Sequence, residues 1–449
     1  MIWPYEFDSN LIERSDMKVV MIGAGYVGLV SGACFAEFGA DVTCVDVVEQ
    51  KIKALEVGEI PIYEPGLDQL VKKNIDAGRL TFSTKLDRHV PSADIIFIAV
   101  GTPTRRGDGH ADLTYVYEAA KNIAECLSGY TVVVNKSTVP VGTARQVSRI
   151  ISEQNPTADY SVASNPEFLR EGAAISDFMH PDRVVLGVED ERAEQLLREL
   201  YRPINLIEAP ILVTNWESAE LTKYAANAFL ATKISFINEI ANLCEAVGAD
   251  AHSVAKGMGL DGRIGKKFLH PGPGYGGSCF PKDTLALIRI AQENDVPSRI
   301  VESVIEVNAA QKARMVKKIR TALGDVSGKV IAVLGLTFKP ETDDMRDSPA
   351  LSILPPLLDK GAVIRAHDPK GMAEAKQELP ESVDYTDDVA AAVANADAVV
   401  MMTEWNEYRN LNLHELKSQM RGNVFIDLRN IYERNVVEEA GFNYSAVGR

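Results

Sequence analysis

The sequence predicts an α/β protein in which two doubly wound, parallel-sheet domains are joined by a central domain of long helices. Short apolar runs alternate with helical patterns up to about residue 214, as in a sheet covered by helices on both faces. From about Glu217 to Val247, helix-forming residues run without proline and place apolar side chains at helical spacing. After Gly328 the alternation of strand and helix patterns resumes.

Candidate strands are the apolar runs that are rich in β-branched residues and bounded by turn residues. In the first region they are Lys18–Ile22, Asp41–Val45, Asp94–Val100, Thr131–Asn135, Tyr160–Ala163, Arg183–Val188 and Ile211–Val213. In the last region they lie in the segments KVIAVLG, AVIRAHD, ADAVVMMT and NVFIDL. Two further helices are predicted, from Glu302 to Leu323 and from about Pro349 to Asp359.

The length of 449 residues suits two to three domains. We predict a disordered extension at 1–16, a first sheet domain at 17–214, a central helical domain at 215–325 and a second sheet domain at 326–449. The extension lacks the charged-then-apolar pattern of a secretory signal. Met17, directly before the first candidate strand, therefore looks like the start of the fold.

Charge and cysteine usage exclude several classes of function. The net charge is −16 and no long run of Lys or Arg occurs, which argues against nucleic-acid binding. No apolar stretch approaches the roughly 20 residues that span a bilayer, so no membrane association is expected. The five cysteines form no CxxC pair, which argues against a metal site and a disulfide framework. A reducing, cytoplasmic location is expected.

A glycine-rich turn follows the first candidate strand directly and has the sequence Gly23-Ala24-Gly25-Tyr26-Val27-Gly28. Such glycines allow a tight turn and the close approach of a pyrophosphate to a helix N-terminus. Asp46 ends the second candidate strand, where a carboxylate hydrogen-bonds a ribose diol and repels a ribose phosphate. Although a glycine-rich turn can exist without a ligand, the agreement of strand, helix, spacing and acid predicts a Rossmann-like domain that binds NAD.

Cys279 lies in the segment Gly276-Gly277-Ser278-Cys279-Phe280-Pro281-Lys282-Asp283, just before an apolar helical pattern. Pro281 suits the first turn of a helix, so Cys279 is expected at or just before its N-terminus. The partial positive charge of that terminus, with Lys282 nearby, favours a reactive thiolate. The alternative is a small buried core cysteine, which is our interpretation of Cys34, Cys44, Cys126 and Cys244.

Lys223 and Asn227 are four residues apart in the long predicted helix and share one face. Together, an ammonium and an amide could hold a developing alkoxide. An ordinary polar helix face would show the same spacing, so the pair alone does not decide the function.

Thr138 and Glu167 lie in loops that follow two of the candidate strands. Such loops sit at the carboxyl ends of a parallel sheet, where ligands of this fold bind. Thr138 could position a water and Glu167 could take a proton, although both could also be turn residues.

Seven segments, in this order, resemble the UDP-glucose/GDP-mannose dehydrogenase family from about Met17 to the end of the chain. They are GAGYVG, VGTP, STVPVGT, NPEFLREG, ELTKYAANAF, GGSCFPKD and GLTFKPETDDMRDSP. The resemblance implies that the hydroxymethyl carbon of a nucleotide sugar is oxidised twice, with two NAD in succession. It also implies that the second sheet domain, which would then be Rossmann-like as well, binds the UDP moiety.

The resemblance makes Cys279 the nucleophile, which traps an aldehyde as a thiohemiacetal and then holds a thioester. The supporting roles it implies are oxyanion stabilisation for Lys223, substrate positioning for Asn227, water activation for Asp283, water binding for Thr138 and proton transfer for Glu167. A thioester keeps the acyl carbon bound until water arrives, so that no free aldehyde is released.

The resemblance also assigns the binding residues. Those implied for the cofactor are Gly23, Gly25, Tyr26, Val27, Gly28, Asp46, Thr102, Pro103, Thr138, Glu171, Lys282 and Arg346. Those implied for the substrate are Glu167, Phe168, Leu169, Lys223, Asn227, Arg263, Phe268, Leu269, Gly276 and Lys339. Arg429, at the end of a strand, is a weaker candidate.

Within the family, the segments Arg263-Ile264-Gly265 and Phe268-Leu269-His270-Pro271-Gly272 resemble the UDP-glucose branch. The expected reaction is the NAD-dependent, four-electron oxidation of UDP-glucose to UDP-glucuronate, with supply of polysaccharide precursors as its setting. Arg263 in such enzymes reaches a substrate diphosphate in the neighbouring subunit. The resemblance therefore implies a homodimer or a higher homo-oligomer.

Three alternatives to this substrate and reaction stay open. GDP-mannose or another UDP-sugar, such as an N-acetylated hexosamine, would use the same catalytic residues. A two-electron hydroxy-acid dehydrogenase would share the first domain and the long helices, but would need neither Cys279 nor a second nucleotide-binding fold. A regulator that only senses NAD would be expected to lack Cys279, Lys223 or Asp283, and all three are present.

Overall fold

The structure is a computed structural model that describes residues 17–105 and 109–449, without the side chains of 205 and 206. The predicted extension at 1–16 lies outside the described residues. Two compact units make up the described chain. The first comprises residues 17–102 and Asp112–Leu221, and the second comprises residues 103–105, 109–111 and Thr222–Arg449. The domain boundaries predicted above stay predictions.

The first unit is built on an eight-stranded sheet with the strand order β3-β2-β1-β4-β5-β6-β7-β8. Its strands are β1 (Lys18–Ile22), β2 (Asp41–Val45), β3 (Leu80–Ser83), β4 (Ile95–Ile98), β5 (Thr131–Asn135), β6 (Tyr160–Ser164), β7 (Val184–Val188) and β8 (Ile211–Thr214). Neighbouring strands are parallel, except that β6 and β7 pair antiparallel through Ala163–Val188 and Ser164–Gly187. The sheet is therefore parallel over its first six strands.

Helices connect these strands and cover the sheet. They are α1 (Tyr26–Glu37), α2 (Glu49–Glu56), α3 (Leu67–Asp76), α4 (Leu86–His89), α5 (Thr114–Cys126), α6 (Thr143–Gln154), α7 (Ala174–Met179) and α8 (Glu191–Leu200), with short 3₁₀ turns at Val90–Ser92 and Arg202–Ile207. In β1, Val19 and Met21 join one buried apolar cluster, whereas Val20 and Ile22 join another. This period of two places apolar side chains on both faces, as predicted for a doubly covered sheet.

Long helices begin at residue 216, as the sequence pattern predicts. They are α9 (Trp216–Val247), α10 (Ala251–Gly259), α11 (Phe280–Glu293) and α12 (Arg299–Leu323). The division between the two units falls within α9, between Leu221 and Thr222. Asp250 caps α10 by accepting a hydrogen bond from the amide of Ser253, so a local polar contact starts this helix.

The second unit contains a six-stranded, fully parallel sheet with the order β11-β10-β9-β12-β13-β14. Its strands are β9 (Val330–Leu334), β10 (Val363–His367), β11 (Asp384–Tyr385), β12 (Ala398–Met401), β13 (Val424–Asp427) and β14 (Asn443–Ala446). The connecting helices are α13 (Pro349–Leu358), α14 (Met372–Glu378), α15 (Val389–Val393), α16 (Asn406–Arg409), α17 (Leu413–Gln419) and α18 (Arg434–Glu439). This order repeats the 3-2-1-4-5-6 order of the first six strands, which is that of a doubly wound fold.

The predicted fold class, two Rossmann-like parallel-sheet regions with long helices between them, is confirmed. Three short strands (β3, β11 and β14) were not predicted, and the prediction did not include the reversed direction of β7. Over residues 17–105 and 109–449, no helix is both long and apolar enough to cross a membrane. The same residues contain no cluster of three His, Cys, Asp or Glu side chains that could hold a metal ion.

Candidate active site

The glycine-rich turn between β1 and α1 is held by close backbone contacts. Gly23 has a φ of +100°, and a Cβ there would lie 2.6 Å from the Ala99 carbonyl oxygen. A Cβ at Gly28 would lie 1.8 Å from the Gly23 oxygen, so α1 can pack against the turn only with glycine at this position. Gly25 differs, because a Cβ there would meet nothing within 4 Å. The turn is thus closed on its inner side and open at Gly25.

Asp46 follows β2 directly and reaches the same turn. Its carboxylate accepts hydrogen bonds from the amides of Ala24 at 2.9 Å and Val48 at 3.0 Å, and pairs with the Lys51 ammonium at 2.9 Å. Burial by itself raises the pKa of Asp46, but the hydrogen bonds from Lys51, Val48 and Ala24 outweigh it and hold the pKa below its usual value. An ionised acid therefore stands beside the turn, as a ribose diol requires.

Tyr26, the first residue of α1, is connected to a distant loop through Glu64. The buried Glu64 carboxylate accepts hydrogen bonds from the Tyr26 hydroxyl, the Gly172 amide at 2.6 Å and the Ala174 amide at 2.8 Å. Burial, the hydrogen bond to Glu64 and the charge of Glu171 raise the pKa of Tyr26, so the phenol is neutral at physiological pH. Glu171 thus lies near the cofactor turn.

The other candidates of the first unit follow β4, β5 and β6. The Thr102 hydroxyl donates to the carbonyl of Thr138 at 3.0 Å, so the loops after β4 and β5 are joined. Glu167 is buried, and its carboxylate accepts from the Leu169 amide at 2.6 Å. The ring of Phe168 stacks beneath the guanidinium of Arg183 at 3.6 Å. These residues therefore lie at the carboxyl ends of the parallel strands.

Cys279 is the residue immediately before α11, as the position of Pro281 predicts. The Cys279 carbonyl accepts from the Asp283 amide at 2.8 Å, which starts the helical hydrogen-bond pattern. Its sulfur lies 3.5 Å from the Ser278 hydroxyl and is partly exposed. Cys34, Cys44 and Cys244 are buried, as expected for core cysteines, whereas Cys126 is partly exposed.

Asp283 is completely buried, and two other candidates hold its carboxylate. Asn227 donates its side-chain amide to one carboxylate oxygen at 2.6 Å, and the Lys282 ammonium lies 2.6 Å from the other. Lys223 is 2% exposed and lies one turn before Asn227 on α9. The structure thus brings Asn227, Lys282 and Asp283 into one hydrogen-bonded group next to Cys279.

The glycines before Cys279 allow a second loop to approach closely. A Cβ at Gly276 would lie 2.3 Å from the Asp347 oxygen, and one at Gly277 would lie 2.7 Å from the Phe338 ring. The Gly277 amide also donates to the carbonyl of Arg346 at 2.8 Å. The loop between β9 and α13, which carries the predicted UDP-binding and cofactor-binding cations, therefore packs against the cysteine segment.

The two predicted cations of this loop are Arg346 and Lys339. Arg346 is exposed and pairs with the Asp344 carboxylate at 2.8 Å. The Lys339 ammonium lies 5.3 Å from the centre of the Phe338 ring. Arg429 is more enclosed, because its guanidinium donates to the carbonyls of Met402 and Phe338, each at 2.7 Å. Arg429 thus fastens loops at the carboxyl edge of the second sheet.

The segment before the cysteine contains the remaining substrate candidates. The Arg263 side chain is 90% exposed and pairs locally, with Asp261 at 2.6 Å. Phe268 has a φ of +64°, an uncommon conformation for a bulky side chain, and its ring lies 6.1 Å from that of Phe280. Leu269 is buried against Ile237 of α9. Phe268 and Leu269 therefore join the cysteine segment to the long helix, whereas Arg263 extends away from both.

Val27 and Pro103 add little to this geometry: Val27 is half-buried in the first turn of α1, and Pro103 is exposed. Sequence reasoning missed two buried carboxylates, Glu64 and Glu220. Their backbone hydrogen-bond partners are 76 to 110 residues away in the chain. The side-chain partners Tyr26 and Ser164 are nearer, but still 38 and 56 residues away. No local spacing in the sequence therefore indicated these two carboxylates. Glu220 is the first residue of the segment ELTKYAANAF, which also contains Lys223. Its position in that segment was the one sequence feature that pointed to it.

Comparisons with known proteins agree with this geometry. Three models of the UDP-glucose/GDP-mannose dehydrogenase family match: the NAD binding domain at residues 17–205, the central domain at 217–310 and the UDP binding domain at 332–434. The UDP-glucose 6-dehydrogenase of Rhizobium meliloti is 59% identical over 436 residues, which cover 96% of this chain and 100% of the relative. For the UDP-glucose 6-dehydrogenase TuaD of Bacillus subtilis, the identity is 51% over 433 residues, covering 96% and 93%.

A solved structure is similar as well. The UDP-glucose dehydrogenase of the archaeon Pyrobaculum islandicum superposes with a TM-score of 0.89 at 40% identity, covering 96% of this chain and 98% of that one. The match to the family's NAD binding domain confirms the predicted cofactor and the predicted oxidoreductase class. From the matched domains, the full-length relatives and the shared fold it follows that the chain belongs to the UDP-glucose/GDP-mannose dehydrogenase family.

Proposed function

We propose that this protein catalyses the NAD-dependent, four-electron oxidation of UDP-glucose to UDP-glucuronate through a thioester on Cys279. The names of the relatives at 59% and 51% identity support UDP-glucose as the substrate, and the UDP binding domain supports a uridine nucleotide. A cytoplasmic location, with its reducing conditions, would keep the thiol of Cys279 available for this chemistry.

The observation that carries the proposal is the group formed by Cys279, Asp283, Asn227 and Lys282. A sulfur at the start of the 14-residue helix α11 is placed where positive potential favours a thiolate. The carboxylate of Asp283, in the first turn of the same helix, is completely buried and is held from both sides by hydrogen bonds. A two-electron alcohol dehydrogenation has no use for a nucleophilic sulfur, whereas an oxidation that continues to the acid can use one to hold the aldehyde and then the acyl group.

The residues of the first turn fit NAD. The open space at Gly25 leaves room for a pyrophosphate at the start of α1, and the ionised Asp46 beside it suits a ribose diol. When bound, NAD accepts a hydride in each of the two oxidations. We assign Gly23, Gly28, Tyr26, Val27, Thr102, Pro103 and Thr138 to the shape of this site, and Glu171, Lys282 and Arg346 to its surroundings.

The chain's own residues would carry the remaining chemistry in two stages. In the first, the substrate hydroxyl passes its proton to the water that Asp283 orders and its carbon loses a hydride, while the Lys223 ammonium stabilises the oxygen. The Cys279 thiolate then adds to the aldehyde carbon and forms a thiohemiacetal, whose oxygen Lys223 stabilises again. Asn227 would orient this oxygen.

In the second stage the same carbon loses another hydride and becomes a thioester. Water, held by Thr138 and ordered by Asp283, adds to the thioester carbon, and Glu167 takes its proton. The carbon–sulfur bond then breaks, which releases the acid and restores the thiolate of Cys279. The balance for each sugar nucleotide is one water consumed, with two NADH and two protons formed besides the acid.

For substrate binding we assign the UDP moiety to the second sheet and the loop that carries Lys339. Phe168, Leu169, Phe268, Leu269 and Gly276 would shape the sugar pocket, together with Glu167, Lys223 and Asn227. Arg263, whose side chain is 90% exposed, would reach the diphosphate bound by a second subunit.

A homodimer or higher homo-oligomer is therefore part of the proposal. On α9 the side chains of Phe229, Phe236 and Leu243 are 65%, 46% and 56% exposed, and they recur every seven residues. Side chains at this spacing share one face of a helix, and exposed apolar stripes of this kind mark interaction sites. We assign this stripe to the subunit interface.

The decisive experiment counts NADH formed per sugar nucleotide when NAD is in excess and UDP-glucose is limiting, with GDP-mannose in parallel. Two NADH from UDP-glucose and little from GDP-mannose are expected. One NADH per UDP-glucose would remove the role of Cys279, and two from GDP-mannose alone would overturn the substrate assignment. The Cys279→Ala variant should lose overall turnover while it still binds NAD and UDP-glucose, whereas Cys126→Ala, a matched control, should behave as the parent.

A further inference from the structure

Glu220 is a buried carboxylate that has no part in the chemistry proposed above. It lies in the second turn of α9 and is 3% exposed. One of its oxygens accepts from the Gly142 amide at 2.7 Å. The other accepts from the Ala144 amide at 2.8 Å and from the Ser164 hydroxyl at 3.2 Å. Both oxygens are thus held by groups from other elements of the first unit.

The partners of Glu220 belong to segments that carry candidate catalytic residues. Gly142 and Ala144 start α6, directly after the loop that contains Thr138. Ser164 ends β6, three residues before Glu167. Glu220 itself precedes Lys223 by three residues on α9. One carboxylate therefore fastens two of these segments to the helix that holds the third.

The charge of Glu220 determines how firmly these segments are held. An ionised carboxylate accepts from all three donors, and the start of α6 favours its negative charge. A protonated carboxyl accepts more weakly from the two backbone amides, and of its three partners only the Ser164 hydroxyl could accept its hydrogen, after rotating. The clamp is thus strongest when Glu220 is ionised.

Several groups surround Glu220 and affect its ionisation. Burial raises the pKa of Glu220 to about 7, although the hydrogen bonds from Ala144, Gly142 and Ser164 counteract part of this effect. The charge of Glu217, on the same helix, raises it further. Glu217 pairs with Arg145 of α6, which also pairs with Glu189. Tyr117 of α5 is close enough that the charge of Glu220 contributes to raising the pKa of its hydroxyl. Glu220 therefore changes its charge near neutral pH.

We propose that Glu220 is a positioning residue, whose ionised carboxylate holds the segments that follow the loop of Thr138 and precede Glu167 against the first turns of α9, the helix that also carries Lys223. It touches neither substrate nor cofactor and acts only through the segments it fastens. This inference rests on the proposed function, because it takes the catalytic roles of those three residues from it. Turnover is expected to fall as the pH drops through about 7, since protonation loosens the clamp.

The test compares Glu220→Gln with Glu217→Gln, a matched control one turn earlier on the same helix. The amide introduced by Glu220→Gln would face backbone N–H groups with its own donors, so kcat should fall about tenfold or more, with KM for NAD changed less than about threefold. The limb of the kcat–pH profile near pH 7 should also disappear. Glu217→Gln loses a partly exposed ion pair and should keep kcat and the limb, with the limb moved to slightly lower pH because the charge that raises the pKa of Glu220 is removed.

Hydrogen exchange provides a second measurement that does not depend on the substrate. In Glu220→Gln the amides of residues 137–146 should exchange faster than in the parent, whereas in Glu217→Gln they should not. Unchanged exchange, or an unchanged kcat and pH profile in a folded variant, overturns the inference. If Glu220→Gln does not fold, Glu220→Asp is used in its place. A kcat–pH profile of the parent that has no limb near pH 7 also overturns the inference. Absence of NADH from UDP-glucose in the parent overturns the proposed function instead.

Discussion

The side-chain amide of Asn227 donates to a carboxylate oxygen of Asp283 at 2.6 Å, and Asp283 is completely buried. The two residues are 56 positions apart, on α9 and α11, so this contact fixes the helix of Lys223 against the helix that begins at Cys279. The second oxygen is held by Lys282 at 2.6 Å. A buried carboxylate in such a setting keeps its orientation because each oxygen has a donor.

Replacement of Asn227 by Ala is expected to lower kcat about tenfold to hundredfold. The loss of a hydrogen bond to a buried charged group costs about 1.5–3 kcal/mol, and each 1.4 kcal/mol corresponds to about a tenfold rate change. Steady-state kinetics with UDP-glucose measure the effect. The control is Asn242→Ala, at another asparagine of α9, which loses a hydrogen bond to Gln311 of α12. This variant should leave kcat unchanged. Equal rates for the parent and Asn227→Ala would contradict the role of this contact.

The glycine turn allows a prediction that separates binding from folding. In Gly25→Ala the new methyl group meets nothing within 4 Å, and the φ of −79° suits alanine, so stability should be kept. The same methyl group would occupy the space where a pyrophosphate approaches, so the Kd for NAD should rise at least about tenfold. Thermal unfolding and an NAD titration measure the two properties.

Gly28→Ala is the matched contrast within the same turn. Its methyl group would lie 1.8 Å from the Gly23 oxygen, so the free energy of unfolding should fall by about 3 kcal/mol. If Gly25→Ala binds NAD as tightly as the parent, the pyrophosphate does not lie at the start of α1.

Much of this fold could be predicted because the strands are buried on both faces and the turn chemistry is local. Val19 to Ile22, for example, form a continuous apolar run that ends at the glycine turn. The short strands β3, β11 and β14 were missed because polar residues interrupt their apolar pattern. The direction of β7 could not be predicted, since a buried strand has the same pattern in a parallel and in an antiparallel pair.

The candidate site divides in a similar way. The position of Cys279 at the start of α11 followed from Pro281, which is a local signal. The pairing of Asn227 with Asp283 and the clamp of Glu220 depend on contacts between residues more than 50 positions apart. No periodicity within one element encodes such a contact, so only the folded structure reveals it.

The two sheets carry an acid at the same topological position, but the two carboxylates have different surroundings. Asp46 follows β2 and is 9% exposed, whereas Asp368 follows β10 and is fully buried. Asp368 accepts hydrogen bonds from the amides of Leu336, Thr337, Lys370 and Gly371 and from the side chains of Thr337 and Trp405. Asp368 is therefore committed to the loops of the second sheet, whereas Asp46 has fewer donors and keeps a small exposed fraction beside the glycine turn.

Replacement of Asp46 by Ser should therefore change coenzyme selectivity. The Kd for NAD should rise about tenfold to hundredfold, because a hydrogen bond to a charged group is lost, and discrimination against NADP should weaken. Asp368→Asn is the matched control and should lower the unfolding temperature without changing the ratio of NADP to NAD affinity. Fluorescence titrations with both coenzymes measure this ratio, and an unchanged ratio in Asp46→Ser would contradict the assignment of the ribose to Asp46.

Phe236→Asp should weaken self-association of the chain. Phe236 is 46% exposed in the middle of the apolar stripe formed with Phe229 and Leu243, so a charge there would be buried without a partner in a dimer. The fold of each chain should survive, because an exposed side chain contributes little to the core. Light scattering after gel filtration should show a smaller species for Phe236→Asp. Val436→Asp, at a residue that is 48% exposed on α18, should keep the mass of the parent. If Phe236→Asp has the same mass as the parent, the subunit interface does not lie on this stripe of α9. The proposed contact of Arg263 with the diphosphate in a second subunit would then lose its support.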